Sequence, residues 1–515
     1  MILPDTRRKK QAALVVVSLV VLGGVLRFLP GWQAGFPIND GGMFLVMIRD
    51  LQANRFVLPS VTSYNVSGIP FAYPPFGFYL AAALSDWLSI PPVDLLLWLP
   101  PLVSAAIIPT LYWLARQIFK SESKAIVATA LYAFLPGASD WLIMGGGLTR
   151  AFGILFSLLA IGFVRRVFRE GEKRSIIPAI LFCACAVLSH PEVGLQTAAI
   201  CFVLWVFDGR SLSGTKSAAL IAAGAMLLTA PWWLTVLRYH GLAPFESAIQ
   251  TGARETLIAS LFHSIFSLQG GLPILPTLCL VGIFAVSRRR DFPLVTWAFV
   301  PFFVDPRNAP AIAIFPLIML ASEGAHYLNA EFIRAYSKTF HTRAEETSFP
   351  LRLSIAIFTV LLLYLFLVSW GDASNLARVS LTQADRETME WVRQNTPVES
   401  RFLLFTNTGQ VSPMADSYQE WFPALAERNS QNTLQGLEWT LGSEFFSYSR
   451  RLSALQSCQT ADCLAGWMRR EDVEADYLVF KKRSVSASLM DSVRANHAYQ
   501  VVYDSENALI FLATP

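Results

Sequence analysis

The sequence predicts a mainly α-helical membrane protein that crosses the bilayer about eleven times and ends in an extracytoplasmic α/β domain. Three observations predict it. Of 515 residues, 54% are hydrophobic and only 15% charged, where a soluble domain carries roughly 25% charge. Uncharged runs at 11–26, 125–139, 217–237 and 353–370 approach or reach the ~20 residues that cross ~30 Å of hydrocarbon. After Trp370 the composition turns polar. A soluble enzyme is excluded. A net charge of +4, with the basic residues gathered beside apolar runs, also argues against a nucleic-acid partner.

The first apolar stretch, 14–26, is followed by Arg27-Phe28-Leu29-Pro30 rather than a small-residue cleavage motif, so it reads as an uncleaved helix. The expected spans are 11–29, 93–115, 125–143, 148–164, 175–189, 193–207, 217–237, 270–287, 292–304, 308–326 and 353–370. With Arg7-Arg8-Lys9-Lys10 in the cytoplasm, alternation puts the connections 116–124, 165–174, 208–216, 288–291 and 329–352 inside. That inner set then carries 21 basic residues, among them Lys124, Arg165, Arg289, Arg334 and Arg343, against seven (Arg27, Arg49, Arg55, Arg150, Arg238, Arg254, Arg307) at the other face. The bias supports a multi-pass plasma-membrane protein with its N-terminus in the cytoplasm. Two of the hairpins, 175–207 and 292–326, are short. Their polar tips are expected below the outer surface.

Residues 30–92 form a long first outer loop. Within it 71–90 is apolar but contains Asp86 and has no basic residue at its far end, which favours an interfacial or re-entrant helix over a span. The chain thus divides into a membrane domain, 1–370, and an outer domain, 371–515. In the latter 401–406, 477–481 and 501–512 have strand character, and 383–394 and 448–455 have helical character. Cys183, Cys185, Cys201 and Cys279 lie in apolar runs as ordinary packing residues. Cys458 and Cys463 are candidates for a disulfide outside the cytosol.

The ionisable residues gather on one side. Asp40, Asp140, Arg150, His190, Glu192, Tyr239, His240, Glu246, Asp305 and Arg307 all fall at outer ends. Such groups cost several kcal/mol at membrane depth unless they serve a cavity or pair with each other. A site facing outward has no nucleotide at hand, and neither a Walker A pattern nor a dinucleotide fingerprint is present. Its activated substrate is expected to arrive in the membrane.

An acidic residue soon after the first helix (Pro37-Ile38-Asn39-Asp40-Gly41-Gly42) is followed by a long outer loop, from Asn65 through Tyr73-Pro74-Pro75-Phe76. With the many spans and the outer domain, this resembles the GT-C membrane glycosyltransferases, which include protein O-mannosyltransferases, lipid A aminoarabinose transferases and oligosaccharyltransferase catalytic subunits. The segments Glu420-Trp421-Phe422-Pro423-Ala424-Leu425 and Gln435-Gly436-Leu437-Glu438-Trp439 look like those of bacterial members. Two departures stand out. Gly41 occupies the place where many members have a second acid, and the loop that often carries another acid reads Gly147-Leu148-Thr149-Arg150. The resemblance implies an inverting transfer of a sugar from a polyprenyl-phosphate donor to a lipid, glycan or protein acceptor at the outer membrane face, with Asp40 as base.

Each candidate has a plainer alternative. Asp40 is also a good N-cap for a helix starting at Gly41. Arg307 suits a phosphate by bidentate bonding, or a salt bridge to Asp305. Arg150, behind three glycines, is a second phosphate candidate or an interfacial arginine. His190 and Glu192 contact substrate or simply pair at a hairpin tip, and Asp140 and Tyr73 complete the substrate-binding set. A His/Glu/Asp set offers ligands for a divalent cation near the phosphate, although no specific metal-ligand spacing is present. Trp421, Trp439 and Tyr418 either stack on sugar rings or form a core, core being the commoner fate. Asn65-Val66-Ser67 matches a glycosylation acceptor by chance more often than by function. The rival functions are a lipid-sugar transporter or flippase, which calls for charges at mid-span and two similar halves, and a non-catalytic assembly protein.

Overall fold

The structure is a computed structural model that describes residues 5–251, 256, 258–260, 274–340, 348–409 and 411–514. Arg254 and Arg343, counted above, and the start of the 270–287 span lie outside the described residues. Every expected span coincides with a helix. In chain order these are α1 (Asp5–Ala34), α4 (Pro92–Phe119), α5 (Glu122–Phe134), α7 (Gly147–Arg169), α8 (Ile176–Ser189), α9 (Pro191–Asp208), α10 (Leu212–His240), α12 (Ile274–Arg288), α13 (Pro293–Val304), α14 (Ala309–Phe340) and α15 (Ser348–Leu376). Shorter helices intervene: α2 (Gly42–Ala53), α3 (Phe76–Leu88), α6 (Asp140–Ile143) and α11 (Ala243–Gln250).

Among the described residues, seven helices are long and apolar enough to cross a membrane: α1, α4, α7, α9, α10, α14 and α15. The other four, α5, α8, α12 and α13, have 12–15 residues. At ~1.5 Å per residue these reach only ~18–23 Å. The tips between α8 and α9 and after α13 each join a short arm to a longer one, α9 or α14. They brace each other, because the Gln196 amide donates to the carbonyl oxygens of Pro301 (3.0 Å) and Asp305 (3.4 Å).

Several boundaries differ from the sequence reading. The 125–143 span breaks after Phe134, because Leu135 is extended before Pro136 and Gly137 turns at φ +72°, and α6 forms as a separate turn. Helix α14 continues past 326 to Phe340, so Arg334 and Lys338 lie on a helix rather than in a loop. Helix α15 runs through position 370 to Leu376, with Gly371 and Asp372 inside it. Helix α3 has 13 residues and ends with Trp87 and Leu88 strongly exposed.

Beyond α15, a five-stranded sheet has the order β2-β1-β3-β5-β4, with β1 (Arg401–Phe405), β2 (Asn429–Ser430), β3 (Tyr477–Lys481), β4 (Tyr499–Asp504) and β5 (Ala508–Ala513). The β1–β2 and β1–β3 pairs are parallel and the rest antiparallel. Alternation divides the strands between two cores. Leu403, Phe405, Leu478, Phe480, Leu509 and Phe511 face α18 (Phe445–Gln456), α19 (Ala461–Glu471) and α20 (Ala487–Arg494). Phe402, Leu404, Val479 and Ile510 face α16 (Gln383–Asn395) and α17 (Ser417–Leu425) and join the core of the helix bundle. Helix α16 is fixed by the Thr382/Asp385 capping box, and Asp385 also meets Lys481 and Asn507.

The long first loop is sewn to this sheet. Asn65 is 7% exposed, and its amide donates to the Ser430 carbonyl (2.9 Å) while accepting from the Ser430 N–H (2.7 Å). A side chain so engaged extends the edge of β2 and is not open to glycosylation. Replacing Asn65 by Ala should leave the Ser430 N–H and C=O buried and unpaired, at about 1–3 kcal/mol each. The expected outcome is a lowered unfolding midpoint with no change in glycan mass in a glycosylating host; an unchanged midpoint would remove this tie.

Candidate functional site

The site is built where three chain segments meet. The loop 35–41 joins α1 to α2, the turn 144–147 joins α6 to α7, and α17 comes from the sheet domain. Backbone contacts fix the first two: the Gly145 N–H donates to the Ile38 carbonyl at 3.1 Å. The Gly146 N–H donates to Asp40 Oδ1 at 3.0 Å, and Arg150 Nη2 lies 3.4 Å from Asp40 Oδ2. Arg150 is itself held by the Trp141 carbonyl and lies over the Trp141 ring, 5.0 Å from its centroid. It is therefore a fixed partner of Asp40.

Asp40 does not cap α2. The helix starts at Gly42, and the carboxyl that meets its N-terminus is Glu420 of α17, whose Oε1 accepts the Gly41 N–H at 2.8 Å. Gly41 stands at φ +133°, a conformation that favours glycine, so the chain turns the Asp40 side chain away from the helix start. On either side of that bond, Trp421 Nε1–H donates to the Asn39 carbonyl (2.8 Å) and the Tyr64 hydroxyl donates to the Glu420 carbonyl (2.6 Å). Trp421 and Tyr418 are fully enclosed, which settles both as core rather than sugar platforms.

Tyr73 is the point on which the other charges converge. Its ring meets Trp439 and Phe44 edge-on at 5.0 and 5.1 Å. Glu438, Arg150, Glu192 and Asp40 all act on its phenol, and burial with Glu438 pushes the phenol well above the ordinary tyrosine range. At the α8–α9 tip, His190 Nδ1 is 3.7 Å from Glu192 Oε2, too far for a hydrogen bond, and Nδ1 has no other partner. Arg150 and Arg307 both act on His190, and Arg307, Asp305 and Arg150 on Glu192. The Arg307 side chain is exposed. Its expected salt bridge to Asp305 is not formed: Asp305 accepts the Arg307 N–H and the Asn308 amide instead, and among the described residues no ion pair of the guanidinium is found.

Arg150 thus links these residues electrostatically: it pairs with Asp40 and its charge acts on Tyr73, His190 and Glu192, while Arg307 acts on the last two. Asp140 stands apart. It lines a separate cavity with Arg27, Ser369 and Asp372, and its carboxyl is raised by burial and by the charge of Asp372. Of the weaker candidates, His240 Nε2 lies 2.6 Å from the Ser60 carbonyl and its neighbour Tyr239 is exposed at the end of α10. Cys458 and Cys463 form a disulfide where α18 passes into α19, with Cys458 buried in the core beneath the sheet. Among the described residues, no three of His, Cys, Asp and Glu gather closely enough to hold a metal ion. Asp40 has its oxygens on Gly146 and Arg150, and its neighbour Gly41 brings no carboxylate, so this donor set does not fit a divalent cation.

Two acids were not singled out from the sequence. Glu420 is buried, and its carboxyl is raised well above the usual range by desolvation first and by the charge of Asp40 second. Glu438 is raised by burial and opposed by Arg307. Their only sequence signal is an acid inside each of the aromatic segments 420–425 and 435–439.

No curated protein matches the chain by sequence. The model of one family, described as a 6-pyruvoyl-tetrahydropterin synthase related domain, membrane protein, matches residues 72–305. Solved structures match along nearly the whole chain. The oligosaccharyltransferase AglB of Archaeoglobus fulgidus, in complex with an inhibitory peptide and a dolichol-phosphate, aligns with TM-score 0.56 and 14% identity over 98% of this chain and 74% of its own. ArnT of Cupriavidus metallidurans bound to undecaprenyl phosphate gives 0.56 and 13% over 98% and 99%. The mycobacterial arabinofuranosyltransferase AftD gives 0.59 and 13% over 98% and 40%. The chain therefore has the GT-C fold of these membrane proteins.

The Glu420 carboxyl gives a pH test. With its folded value raised above the ordinary 4.5, the stability it contributes is fully present below about pH 4.5 and is lost as the pH rises through the raised value. Glu420→Gln stays neutral and keeps an acceptor for the Gly41 N–H. It should unfold at a higher temperature than wild type at pH 7, with the gap closing below pH 4.5, each pH unit between the two values being worth about 1.4 kcal/mol. An equal difference at both pH values would remove the buried-carboxyl account.

Proposed function

We propose that the chain is an inverting glycosyltransferase that moves a sugar from a polyprenyl-phosphate carrier to a lipid, glycan or protein acceptor at the outer face of the plasma membrane. The observation that carries this reading is the Asp40 carboxylate, fixed by Gly146 and by Arg150, whose charge also acts on Tyr73, His190 and Glu192, on a fold found in proteins solved with dolichol-phosphate and undecaprenyl phosphate. Asp40 takes the proton of the acceptor hydroxyl as that oxygen attacks the anomeric carbon. The bond from that carbon to the phosphate oxygen breaks, and the electron pair leaves with the phosphate. Arg307, exposed and without an ion pair among the described residues, is suited to receive that phosphate bidentately. Arg150 orients the base. Glu192 and His190 line the path between them.

The positive-inside bias supports eleven passes with residues 371–515 outside. The short helices support a site recessed below the outer surface, where a lipid-borne phosphate can enter from the side. Exposed Trp32, Trp87, Trp141 and Trp370 suit an interfacial aromatic belt at that level. A single base and a good leaving group suffice for the reaction, and no step is routed through a metal.

The direct test incubates the purified chain in lipid with a panel of radiolabelled polyprenyl-phosphate sugars. Label should pass to an acceptor with wild type and fall by ~10² or more with Asp40→Asn, which keeps an acceptor for the Gly146 N–H but removes the base. Near-normal transfer by an Asp40→Asn chain with wild-type thermal unfolding would end the catalytic assignment. Arg307→Lys should weaken donor binding more than acceptor binding, and unchanged donor affinity in both the Lys and Ala variants would take Arg307 out of the site.

Topology has its own readout. Cysteines placed at the exposed positions Ser443 and Ser213 should differ in intact cells, the first reacting with an impermeant thiol reagent and the second not. The reverse pattern would overturn the outward orientation.

A further inference from the structure

We infer that Glu420 is a positioning residue for Asp40, so that the sheet domain holds the base in place. The kinetic half of this inference rests on the transfer reading; the structural half does not. Gly41 sits where a second acid is common in GT-C transferases, and in its place a carboxyl arrives from a residue 379 positions away in sequence, with Oε1 2.8 Å from the Gly41 N–H. Asp40 is thereby held on both sides. Its carboxylate is fixed by Gly146 and Arg150, and the peptide that follows it is fixed by Glu420.

The contact is tightly specified. A Cβ on Gly42 would lie 2.5 Å from the Glu420 carbonyl oxygen and 3.0 Å from Trp421 Cα, so α17 rests directly on the backbone of the loop. The Tyr64 hydroxyl and Trp421 indole bonds leave α17 little freedom to slide. Losing the Glu420 carboxyl removes the acceptor of the Gly41 N–H, and the peptide next to Asp40 is then free to move. A displacement of about 1 Å at a reacting group can cost ~10² in rate.

The test compares wild type, Glu420→Ala and Glu420→Gln as full chains purified in lipid. Backbone amide hydrogen exchange of a peptide covering 36–45 should be faster in the Ala variant and return to the wild-type rate in the Gln variant, whose amide oxygen can still accept the Gly41 N–H. With the sugar donor that wild type uses, kcat should fall ~10²-fold in the Ala variant with KM for donor within about threefold, and recover in the Gln variant. If the Ala variant does not fold, Glu420→Asp, which withdraws the carboxyl by one methylene, is compared instead and should show the same direction in both readouts.

Unchanged exchange in the Ala or Asp variant overturns the inference whatever the activity. Faster exchange with an unchanged kcat also overturns it. Exchange that responds as expected in a protein that transfers no sugar leaves the loop-holding role standing and sinks the transfer reading instead.

Discussion

Backbone approach around Asp40 is the constraint on which the site depends. A Cβ on Gly145 would fall 1.8 Å from the Asp40 carbonyl oxygen, and one on Gly146 would fall 2.4 Å from Asp40 Oδ2. Neither can be relieved by a rotamer change, because the obstruction is either main chain or the carboxylate that the Gly146 N–H binds. Two N–H groups of one turn thus grip the Asp40 loop, one through the Ile38 carbonyl and the other through the Asp40 side chain. Since α6 and α7 fix the turn, and α1, α2 and the contacts of α17 fix the loop, the position of Asp40 is set by packing rather than by its own rotamer.

That arrangement gives the buried acids different burdens. Asp40 has a guanidinium and a backbone donor beside it. Glu420 has backbone N–H groups but also the charge of Asp40 close by, so burial favours its neutral form. A neutral carboxyl still accepts the Gly41 N–H, and for that reason a fully enclosed acid is tolerable at this helix start. Glu438 is nearer to Arg307, which offsets part of its desolvation. Among the described residues the Arg307 guanidinium has no ion pair, and its charge acts on Glu438, Glu192 and His190. On the proposed reaction, a phosphate is drawn to Arg307 and a hydroxyl to Asp40.

Much of this was legible in the sequence wherever the signal was local. Long uncharged runs announced the helices, and basic residues between them placed Asp40, Arg150, His190, Glu192 and Arg307 at the same end of the bundle. Strand character marked β1 and β3, whereas the single stretch 501–512 is two strands, β4 and β5, joined at 505–507. Local signals failed where a contact spans the chain. Asp before Gly-Gly reads as a cap, yet the carboxyl at that helix start comes from Glu420, and no spacing rule links positions 41 and 420. Asp140 shared the predicted end with Asp40, but the break at Pro136-Gly137 turned α6 so that it faces α1 and α15. Lys124 and Arg289 looked like simple orientation signals, whereas both pair with the buried Glu323.

On the proposed reading, the short arms α8 and α13 keep the tips that carry His190 and Arg307 near the depth of Asp40. A helix of full crossing length would carry His190 and Arg307 to the membrane surface. Fourteen residues in α8 and twelve in α13 end instead ~9–12 Å short of a ~30 Å core. An irregular backbone at such depth needs internal partners; the Pro301 and Asp305 carbonyls accept the Asp305 and Ala309 N–H groups, and the Gln196 amide adds a second donor to each. The polar tips can then remain recessed without leaving those groups unpaired. Depth has a second consequence, since a chain that descends to meet the recessed tips must also be covered from above. The first loop and α17 provide that cover through Tyr64, Asn65 and Trp421, which makes the sheet domain part of the wall of the site and not an appendage to it.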